Sequence, residues 1–571
     1  MSTFDLVVRG GRIADGTGGK ITSGDVAVKD GVIAQVGAVS GTAAREIEAD
    51  GALVTPGFVD IHTHYDGQVT WDSQLTPSSW HGVTTAVMGN CGVGFAPCRA
   101  EDHDRLIRLM EGVEDIPFPV LADGLPWNWE TFPEYLASLS NKQFDIDFAA
   151  QVPHAAVRVY VMGERGANRD MATADDIAAM ARIAREAVEA GALGFTTSRT
   201  LNHQTSEGDP TPTLTAAEDE LMGIAIEIGK SGKGVLQVVS DFQKRRAEMD
   251  MFQRIVEMSG RPMSISVAQT DLAPDAWKWL LSEIEGANAR GLEMRAQVAP
   301  RPVGILVGLE LTLNPFTAYP AFAQIADKPL AEKVARLSDP AFRAELFGGT
   351  PASDHPFVQS LLRQFGKMFP LGDVPDYEPL PERMLDAEAA RRGVAVEEVA
   401  LDYMLSDGGR GPGTGMLLFP FLNYAQGSLD PSYAMMQHPN AVVGLSDGGA
   451  HMGTICDGSF PTTLLQHWTR DRTRGPKLDL AWAIKAQTAD TARAVGLTDR
   501  GVLKPGMKAD INVIDHAGLR LHGPEIAHDL PGGGRRLLQR ADGYLATVVS
   551  GELVYENGSP TGALPGRLVR G

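Results

Sequence analysis

Residues 57–66 read GFVDIHTHYD and form the stretch from which the fold can be worked out. A short apolar run after a proline predicts a buried strand, and His62 and His64 follow at its end. A spacing of two places both imidazoles on the same face of an extended chain. The pair therefore predicts a metal site, although a His-x-His sequence alone is equally typical of polar residues just beyond a strand.

Seven further segments share this apolar character and alternate with stretches of helical periodicity. They are VTTAVMGN (83–90), DFAAQVPH (147–154), GALGFTTS (191–198), GVLQVVSD (234–241), PMSISVAQ (262–269), EMRAQVAP (293–300) and AVVGLSDG (441–448). Strands that alternate with helices indicate an α/β protein with a parallel sheet, and eight of them favour a (β/α)8 TIM-like barrel. An open doubly wound sheet is the alternative, but no Gly-rich phosphate loop follows the first strand.

The two ends of the chain have a different pattern, with short alternating strands separated by Gly and Asp-Gly turns. Each end is too short to bury a core, so we expect residues 1–55 and 505–571 to build one small β-sandwich domain together. Residues 56–504 would then form the barrel. The connection between strands seven and eight is far longer than an ordinary loop, which predicts a helical insertion at about 320–435, interpreted as a lid.

The composition restricts the partners of this protein. The 571 residues carry a formal net charge of −21, which repels phosphate backbones and makes nucleic acid an unfavourable partner. Three cysteines do not make a disulfide framework in a chain of this size. There is neither an export signal nor an apolar run long enough to span a membrane. We therefore expect a cytoplasmic protein that acts on a small molecule; assembly into a homo-oligomer is left open.

Polar residues recur where the predicted strands end. In a parallel barrel, the carboxyl ends of the strands form one mouth, where reactive side chains collect. Besides His62 and His64, this rule gathers Cys91 after strand two, His154 at the end of strand three, His203 after strand four, and Asp447 with His451 after strand eight. Each has an ordinary structural explanation: a lone Cys is often a buried apolar residue, and Asp in a Ser-Asp-Gly sequence often belongs to a turn.

Two arginines near the same ends are candidates for binding a substrate carboxylate. Arg199 follows strand four and Arg301 follows strand seven. A guanidinium group matches the geometry of a carboxylate, but a structural salt bridge explains either residue equally well. Seven other histidines have no such placement, and we interpret them as surface or structural residues: His81, His103, His355, His467, His516, His522 and His528.

The motifs VTPGFVDIHTH, LSDGG and TADTARAVGLTDRGVLKPGMKADINVID resemble the amidohydrolase superfamily. The segments GNCGVGFAP and GALGFTTS are similar to its D-aminoacylase (N-acyl-D-amino-acid deacylase) branch. The resemblance implies that His62 and His64 are metal ligands on strand one and that Cys91 is the metal-bridging cysteine. It also implies that Asp447 binds metal and carries the proton.

The sequence departs from that family at strands five and six. The family has one metal-binding histidine on each, whereas this chain has no histidine between His203 and His355. Gln237, Ser240, Asp241, Ser266 and Gln269 occupy the region instead, and neutral Gln and Ser are poor zinc ligands. We therefore expect one zinc ion on His62, His64 and Asp447 beside Cys91, and leave a second ion open.

These observations predict a metal-dependent hydrolase of a C–N bond outside a peptide chain, such as an N-acyl amino acid or a cyclic amide. Asp447 would carry the proton, and His154 or His203 would face the oxyanion. The alternative is a protein of this fold that has lost hydrolysis and serves as a one-metal lyase or as a binding or assembly protein.

Overall fold

The computed structural model describes residues 3–353 and 356–571, so the interpretation of His355 lies outside the described residues. The strands are β1 (Phe4–Ile13), β2 (Thr22–Lys29), β3 (Val32–Gly37), β4 (Ala43–Glu48), β5 (Leu53–Pro56), β6 (Phe58–Asp60), β7 (Val83–Met88), β8 (Asp147–Ala150), β9 (Val152–Pro153), β10 (Gly194–Arg199), β11 (Val235–Ser240), β12 (Met263–Ser266), β13 (Met294–Val298), β14 (Val303–Val307), β15 (Phe369–Leu371), β16 (Met416–Leu422), β17 (Ala441–Val443), β18 (Ile511–Ile514), β19 (Arg520–Leu521), β20 (Glu525–Leu530), β21 (Gly534–Leu538), β22 (Ala541–Asp542), β23 (Tyr544–Val549), β24 (Glu552–Glu556) and β25 (Ser559–Pro560).

The helices lie mainly between the parallel strands and in the long connection before β17. They are α1 (Gln68–Trp71), α2 (His103–Glu114), α3 (Phe118–Gly124), α4 (Phe132–Ser140), α5 (His154–Met162), α6 (Glu164–Ala167), α7 (Ala174–Glu189), α8 (Glu218–Lys230), α9 (Arg245–Ser259), α10 (Ala276–Ala289), α11 (Leu330–Ser338), α12 (Pro340–Gly348), α13 (Pro356–Leu362), α14 (Leu385–Arg392), α15 (Val396–Leu405), α16 (Asp430–Met436), α17 (Phe460–Gln466), α18 (Leu480–Ala486) and α19 (Ala489–Ala494). Among the described residues, none of these helices combines the length and the apolar character that crossing a membrane requires.

Each of the eight predicted parallel strands overlaps a strand of the structure. β6, β7 and β8 pair in parallel, and β9, β10, β11, β12, β13 and β17 form a second parallel sheet. The two sheets continue into each other across Gln151, which alone separates β8 from β9. On the other side, a parallel bridge between Thr63 and Gly448 links the segment after β6 to the segment after β17. The carboxyl ends of these strands therefore lie at the same end of the sheet.

Helix α7 shows how the sequence sets the layer around these strands. Thr173 and Asp176 form a capping box that satisfies free N–H groups at its first turn. Met180, Ala184 and Val188 are spaced at helical intervals and are buried against the strands. The parallel strands are covered on both faces, as β7 shows, because every one of its residues is buried.

The strands of both termini lie in one nine-stranded sheet. Its order is β25-β24-β23-β18-β5-β1-β2-β3, and β4 pairs with β1. The central pairing joins β5 to β18 in an antiparallel register, with Val54 opposite Val513. A single apolar cluster contains Val26 and Val54 from one end and Ile511 and Val548 from the other. The burial of apolar surface is thus shared between segments that are far apart in sequence.

The C-terminal segment differs from the expectation that all of it enters this sheet. β19 pairs with β22, and β20 pairs with β21, each as a separate small sheet. The N–H of Leu537 donates to the carbonyl of Met452 at 2.6 Å, which places these hairpins against the segment after β17. This contact depends on loops, whose length and composition do not reveal what they pack against.

The connection before β17 also differs from expectation, because it contains a sheet as well as helices. β14, β15 and β16 form an antiparallel sheet, so the inserted unit begins near residue 303 rather than 320. It has its own apolar core, which includes Val307, Phe316 and Met404. A buried ion pair between Arg472 and Glu378, with N–O distances of 2.9 Å, joins the unit to the segment after α17.

Candidate metal centre

The segment after β6 brings His62 and His64 next to Asp447. Nε2 of His62 lies 3.4 Å from Oδ1 of Asp447, and Nε2 of His64 lies 3.6 Å from the same oxygen. The backbone holds this arrangement, since the N–H of Asp447 donates to the carbonyl of His62 at 3.1 Å. Both histidines are buried, and the side chain of Asp447 is 16% exposed.

The turn after β7 adds Cys91 to the cluster. Its Sγ lies 3.3 Å from Nε2 of His62, and candidate ligand atoms of Cys91, His62 and His64 all lie within 4.8 Å of one another. Cys91 has a φ of 56°, an uncommon conformation for a residue with a side chain. Gly89, two residues before it, has a φ of 80°, and a Cβ there would lie 2.2 Å from the carbonyl oxygen of Gln151. The turn therefore requires glycine, and it directs the thiol inward.

His62, His64 and Cys91 offer ligand atoms close enough to share a divalent ion, and Asp447 approaches the two imidazoles. Tetrahedral zinc with bonds of about 2.0–2.3 Å separates its ligand atoms by about 3.4 Å. The distances of 3.3, 3.4 and 3.6 Å in this cluster match that separation. Oδ1 of Asp447, which faces both imidazoles, is buried and has no hydrogen-bond partner among the described residues. A buried carboxylate oxygen without a partner is costly, and a cation would satisfy it.

Gln297 contacts His62 from behind, and Glu114 lies behind His64 without a hydrogen bond to its ring. Oε1 of Gln297 lies 2.7 Å from Nδ1 of His62, and its amide N–H donates to Ser264 at 2.9 Å. Oε1 of Glu114 lies 3.3 Å from Nδ1 of His64. Contacts at Nδ1 leave Nε2 of each ring to face the cluster, and such partners are known to position metal-binding imidazoles. Sequence patterns did not identify either residue, because Glu114 ends α2 and Gln297 lies within β13.

The electrostatics of the cluster are those of a buried acidic site. Burial raises the pKa of Asp447, but the close approach of His64 and the charges of His62 and His451 outweigh it and hold the pKa below its usual value. Burial, followed by the charges of Asp447 and Asp66, raises the pKa of Glu114 well above its usual value. Burial likewise raises the pKa of the Cys91 thiol. A cation would reverse this last effect, because metal-bound thiols lose their proton.

The residues at the ends of β11 and β12 are engaged with each other. Oε1 of Gln237 accepts a hydrogen bond from the N–H of Cys91 at 3.2 Å, and its amide nitrogen lies 3.3 Å from Oγ of Ser266. The side chain of Gln269 turns to the carbonyl of Pro274 and the N–H of Ala425. These groups fill the place of the missing imidazoles with neutral hydrogen bonds. The described residues therefore fit one ion better than two.

Two more histidines approach the cluster from loops. Nε2 of His451 lies 3.5 Å from Oε2 of Glu114 and 3.8 Å from Oδ2 of Asp447. Leu445, Asp447 and His451 all have a positive φ, so this loop holds strained backbone next to the candidate ligands. Nδ1 of His203 lies 2.8 Å from Oγ of Ser198. Burial, followed by repulsion from His64 and His451, lowers the pKa of His203 to about 3.

His154 has both ring nitrogens occupied. Nδ1 lies 2.9 Å from Oγ1 of Thr197, and Nε2 lies 2.9 Å from Oε1 of Glu220, which also pairs with Arg158. The ring is fully buried in this network. The geometry favours a structural role, and a catalytic role for His154 stays a prediction without a supporting contact.

The two arginines predicted to bind substrate are turned away from the cluster. Alternation along β10 directs Ser198 toward His203, and directs Thr197 toward His154 on the opposite face. Arg199 follows the direction of Thr197 and donates to the carbonyl of Ala216. Substrate binding by Arg199 stays a prediction, and the observed direction does not support it.

Arg301 is buried in a network of its own. It donates to Oδ1 of Asp457 at 2.8 Å and to the carbonyl of Cys456 at 2.6 Å, and its guanidinium lies 3.8 Å from the ring centre of Tyr377. These contacts connect the end of the β13 segment to the inserted unit. They favour the structural explanation for Arg301, because little of the guanidinium remains free for a substrate.

Comparison with known proteins identifies a matching family and several relatives. The model of the amidohydrolase family matches residues 45–555. An uncharacterized protein of Mycobacterium tuberculosis (strain ATCC 25618 / H37Rv) is 27% identical over 592 residues, which cover 97% of this chain and 92% of that protein. The D-aminoacylase of Alcaligenes xylosoxydans xylosoxydans is 34% identical over 195 residues, or 34% of this chain and 37% of the enzyme.

Solved structures extend the similarity over the full chain. A crystal structure of D-aminoacylase is 25% identical with a TM-score of 0.64, and it covers 100% of both chains. A D-aminoacylase structure concerned with the binuclear metal centre, one-metal activation and second-metal attenuation is 25% identical with a TM-score of 0.66, again with 100% coverage of both. The N-acyl-D-glutamate deacylase of Bordetella bronchiseptica, complexed with zinc and a phosphonate inhibitor, shares the fold at 23% identity, a TM-score of 0.66 and 100% coverage of both.

Proposed function

The chain belongs to the amidohydrolase family, in its D-aminoacylase-like branch, and on that premise we propose that it is a metal-dependent hydrolase of a small-molecule amide or cyclic amide. The observation that carries the proposal is the convergence of His62, His64 and Asp447, with Cys91 beside His62. This donor set suits zinc, and the family resemblance assigns the same residues to metal binding.

The proposal treats residues 56–504 as the catalytic (β/α)8 barrel. Residues 1–55 and 505–571 then act as its terminal β domain. The parallel pairings from β6 round to β17 support the barrel, and the shared nine-stranded sheet supports the union of the two ends. A barrel gathers the site from several strand ends, which agrees with ligands that follow β6, β7 and β17.

When bound, a divalent ion supplies Lewis acidity that polarises a carbonyl group and makes hydroxide available near neutral pH. Asp447 then accepts the proton of the attacking water and returns it to the leaving nitrogen. A C–O bond forms, the C–N bond breaks, and the products are a carboxylic acid and an amine. The neighbouring histidines hold the pKa of Asp447 below its usual value, so Asp447 enters the reaction as a carboxylate.

His203 is the better placed of the two histidines predicted to face the oxyanion. If the hydroxyl of Ser198 donates to Nδ1, the proton of the neutral ring resides on Nε2. Since Ser198 engages Nδ1, Nε2 of His203 is the ring nitrogen that would donate to the substrate. A donor aimed at developing negative charge lowers the barrier of acyl transfer.

One ion per chain is the expected complement, since Gln237 and Ser266 occupy the region of the second site. The D-aminoacylase relative for which one-metal activation is described offers a precedent for hydrolysis with a single ion. The alternative function, a one-metal lyase or a binding protein, is motivated by the same missing imidazoles.

The test pairs metal content with turnover. The purified protein, its His62→Ala and its His64→Ala variants are compared for zinc per chain and for hydrolysis of N-acyl-D-amino acids and small cyclic amides. We expect about one ion in the parent and a joint loss of ion and turnover in both variants. Full metal and full activity in either variant would contradict the proposed centre, and no ion with no turnover in the parent would favour the alternative function.

A further inference from the structure

We propose that the substrate carries no carboxylate beside the scissile amide, and is a neutral cyclic amide or N-acyl amine rather than an N-acyl amino acid. This inference rests on the proposed hydrolase function and chooses between the substrate classes that it leaves open. The geometry of three guanidinium groups and the charge of the site carry it.

A buried carboxylate needs a cationic or multiply donating partner, and guanidinium is the usual one. Arg199 points away from the cluster along β10, toward Ala216. Arg301 is held by Asp457 and the carbonyl of Cys456 beneath the ring of Tyr377. Neither arginine presents a free guanidinium group to the end of the barrel at which Asp447 and His451 lie.

Arg536 is a third guanidinium to consider, and it is also engaged. It shares a small cavity of about 20 Å³ with Asp447, lined among others by Pro77. Its Nε and Nη2 donate to Asp529, and its Nη1 donates to Gln68 and to the carbonyl of Thr76. A substrate carboxylate would have to break this set of bonds to reach the guanidinium.

The ionisable side chains around the candidate ligands include three carboxyl groups, of which Asp447 is the carboxylate that faces the imidazoles. Asp447 and Glu114 lie in the cluster, and Asp66 is buried beside the Cys91 turn, where it accepts from the N–H of Gly89 at 3.1 Å. Within residues 3–353 and 356–571, no lysine or arginine forms an ion pair with any of these three carboxyl groups. A single divalent ion would be occupied by the substrate carbonyl and the attacking water. A carboxylate on the substrate would therefore be repelled by the carboxylate of the site, with no cation to compensate.

The loops at the same end of the strands expose apolar side chains. Leu201, two residues before His203, is 48% exposed, and Leu272, after β12, is 99% exposed. Single exposed leucines are ordinary on a protein surface. Here they lie on the loops that follow β10 and β12, and apolar side chains at this end of the strands agree with an uncharged substrate.

The experiment uses matched pairs that differ only by a carboxylate. One pair is N-acetyl-D-leucine and N-isopentylacetamide, and the other is dihydroorotate and dihydrouracil. Values of kcat/KM are measured on the zinc-loaded full chain. Binding of each pair is measured by calorimetry as well, so that a member that is not turned over still reports its affinity.

We expect the neutral member of at least one pair to be favoured by about 100-fold, the scale at which an unpaired buried group rejects a ligand. Preference for the carboxylate member in turnover overturns the substrate class but leaves the hydrolase function in place. Absence of turnover with every compound contradicts the hydrolase function, and the calorimetric preference then decides the substrate class alone.

A control addresses the exposed cations Lys244 and Arg245, which lie after β11. The Lys244→Ala/Arg245→Ala double variant should leave the ratio between the members of each pair unchanged. A ratio that moves further toward the neutral member in this variant would show that a surface cation serves as the carboxylate partner, and would overturn the proposal.

Discussion

Oε1 of Gln297 lies 2.7 Å from Nδ1 of His62, so a neutral amide on β13 determines which nitrogen of a candidate ligand faces the metal centre. The amide is itself oriented, because its NH2 group donates to Ser264. A carbonyl-type oxygen at Nδ1 requires the ring proton there and leaves the lone pair of Nε2 for a cation.

Replacing Gln297 by Leu should weaken zinc binding by about 10–100-fold, because the imidazole of His62 loses its tautomer and orientation. The measurement is zinc affinity by competition with a chelating dye. Gln297→Glu is the matched control, since it keeps an acceptor at Nδ1 and should retain affinity. Unchanged affinity in Gln297→Leu would show that the contact does not position the ring.

Restoring imidazoles at β11 and β12 should create a second ion site. The amide nitrogen of Gln237 lies 3.3 Å from Oγ of Ser266, so histidines at both positions would stand close enough to share an ion with Cys91. We expect the Gln237→His/Ser266→His variant to purify with about two zinc ions per chain, measured by mass spectrometry of the metal content. Gln237→His alone is the control and should stay near one. A parent chain that already holds two tight ions would refute the one-ion centre.

Replacing Cys91 by Ser should lower the affinity for the first ion moderately, by about tenfold, because a thiolate is a better zinc ligand than a hydroxyl group. Cys98→Ser, at a buried cysteine outside the cluster, is the control and should keep the parent affinity. Equilibrium dialysis gives both values. Complete loss of bound metal in Cys91→Ser would instead indicate that the cysteine bridges two ions.

The pair of Glu378 and Arg472 should hold the inserted unit in place. Both side chains are buried and connected by two N–O contacts of 2.9 Å. Without the carboxylate of Glu378, the buried Arg472 keeps only the exposed Asp430 as an ionic partner, at 2.7 Å, so Glu378→Gln should cost about 1–3 kcal/mol of stability. Thermal unfolding and limited proteolysis of residues 303–422 measure the loss. Glu388→Gln, at an exposed i,i+3 pair with Arg391, should leave both unchanged, and similar behaviour of the two variants would exclude the anchoring role.

His81 should make the protein less stable as the pH falls. Burial lowers its pKa from 6.5 to about 4, and its nitrogens contact Thr462 and the carbonyl of Gln539. Because the unfolded chain then binds the proton more readily than the folded one, stability is lost as the pH falls from 6.5 toward 4, by about 3 kcal/mol in all.

The unfolding temperature of the parent should therefore decrease more steeply between pH 6.5 and 5 than that of His81→Gln, which does not titrate. The exposed His522 provides the control, and His522→Gln should follow the parent. Parallel pH profiles for the parent and His81→Gln would show that the buried imidazole does not carry this dependence.

The sequence by itself determined the features that depend on local pattern. Apolar runs that alternate with helical periodicity located the parallel strands from β6 to β13 and β17, because a buried parallel strand has to be apolar on both faces. The spacing of two put His62 and His64 side by side. The sequence also showed directly that β11 and β12 lack histidines, because none occurs between His203 and His355.

Tertiary structure alone decided which polar groups meet. Glu114 ends a helix and His451 lies in a strained loop more than 300 residues later, yet the carbonyl of Glu114 accepts from the N–H of His451. Arg199 and Arg301 end strands as a substrate-binding residue would, but their partners come from other elements. A local sequence pattern shows the periodicity of a segment. The direction and the partner of a buried charged side chain depend on residues that folding brings next to it. A charge buried without a partner is too costly to persist, so these neighbours decide its place.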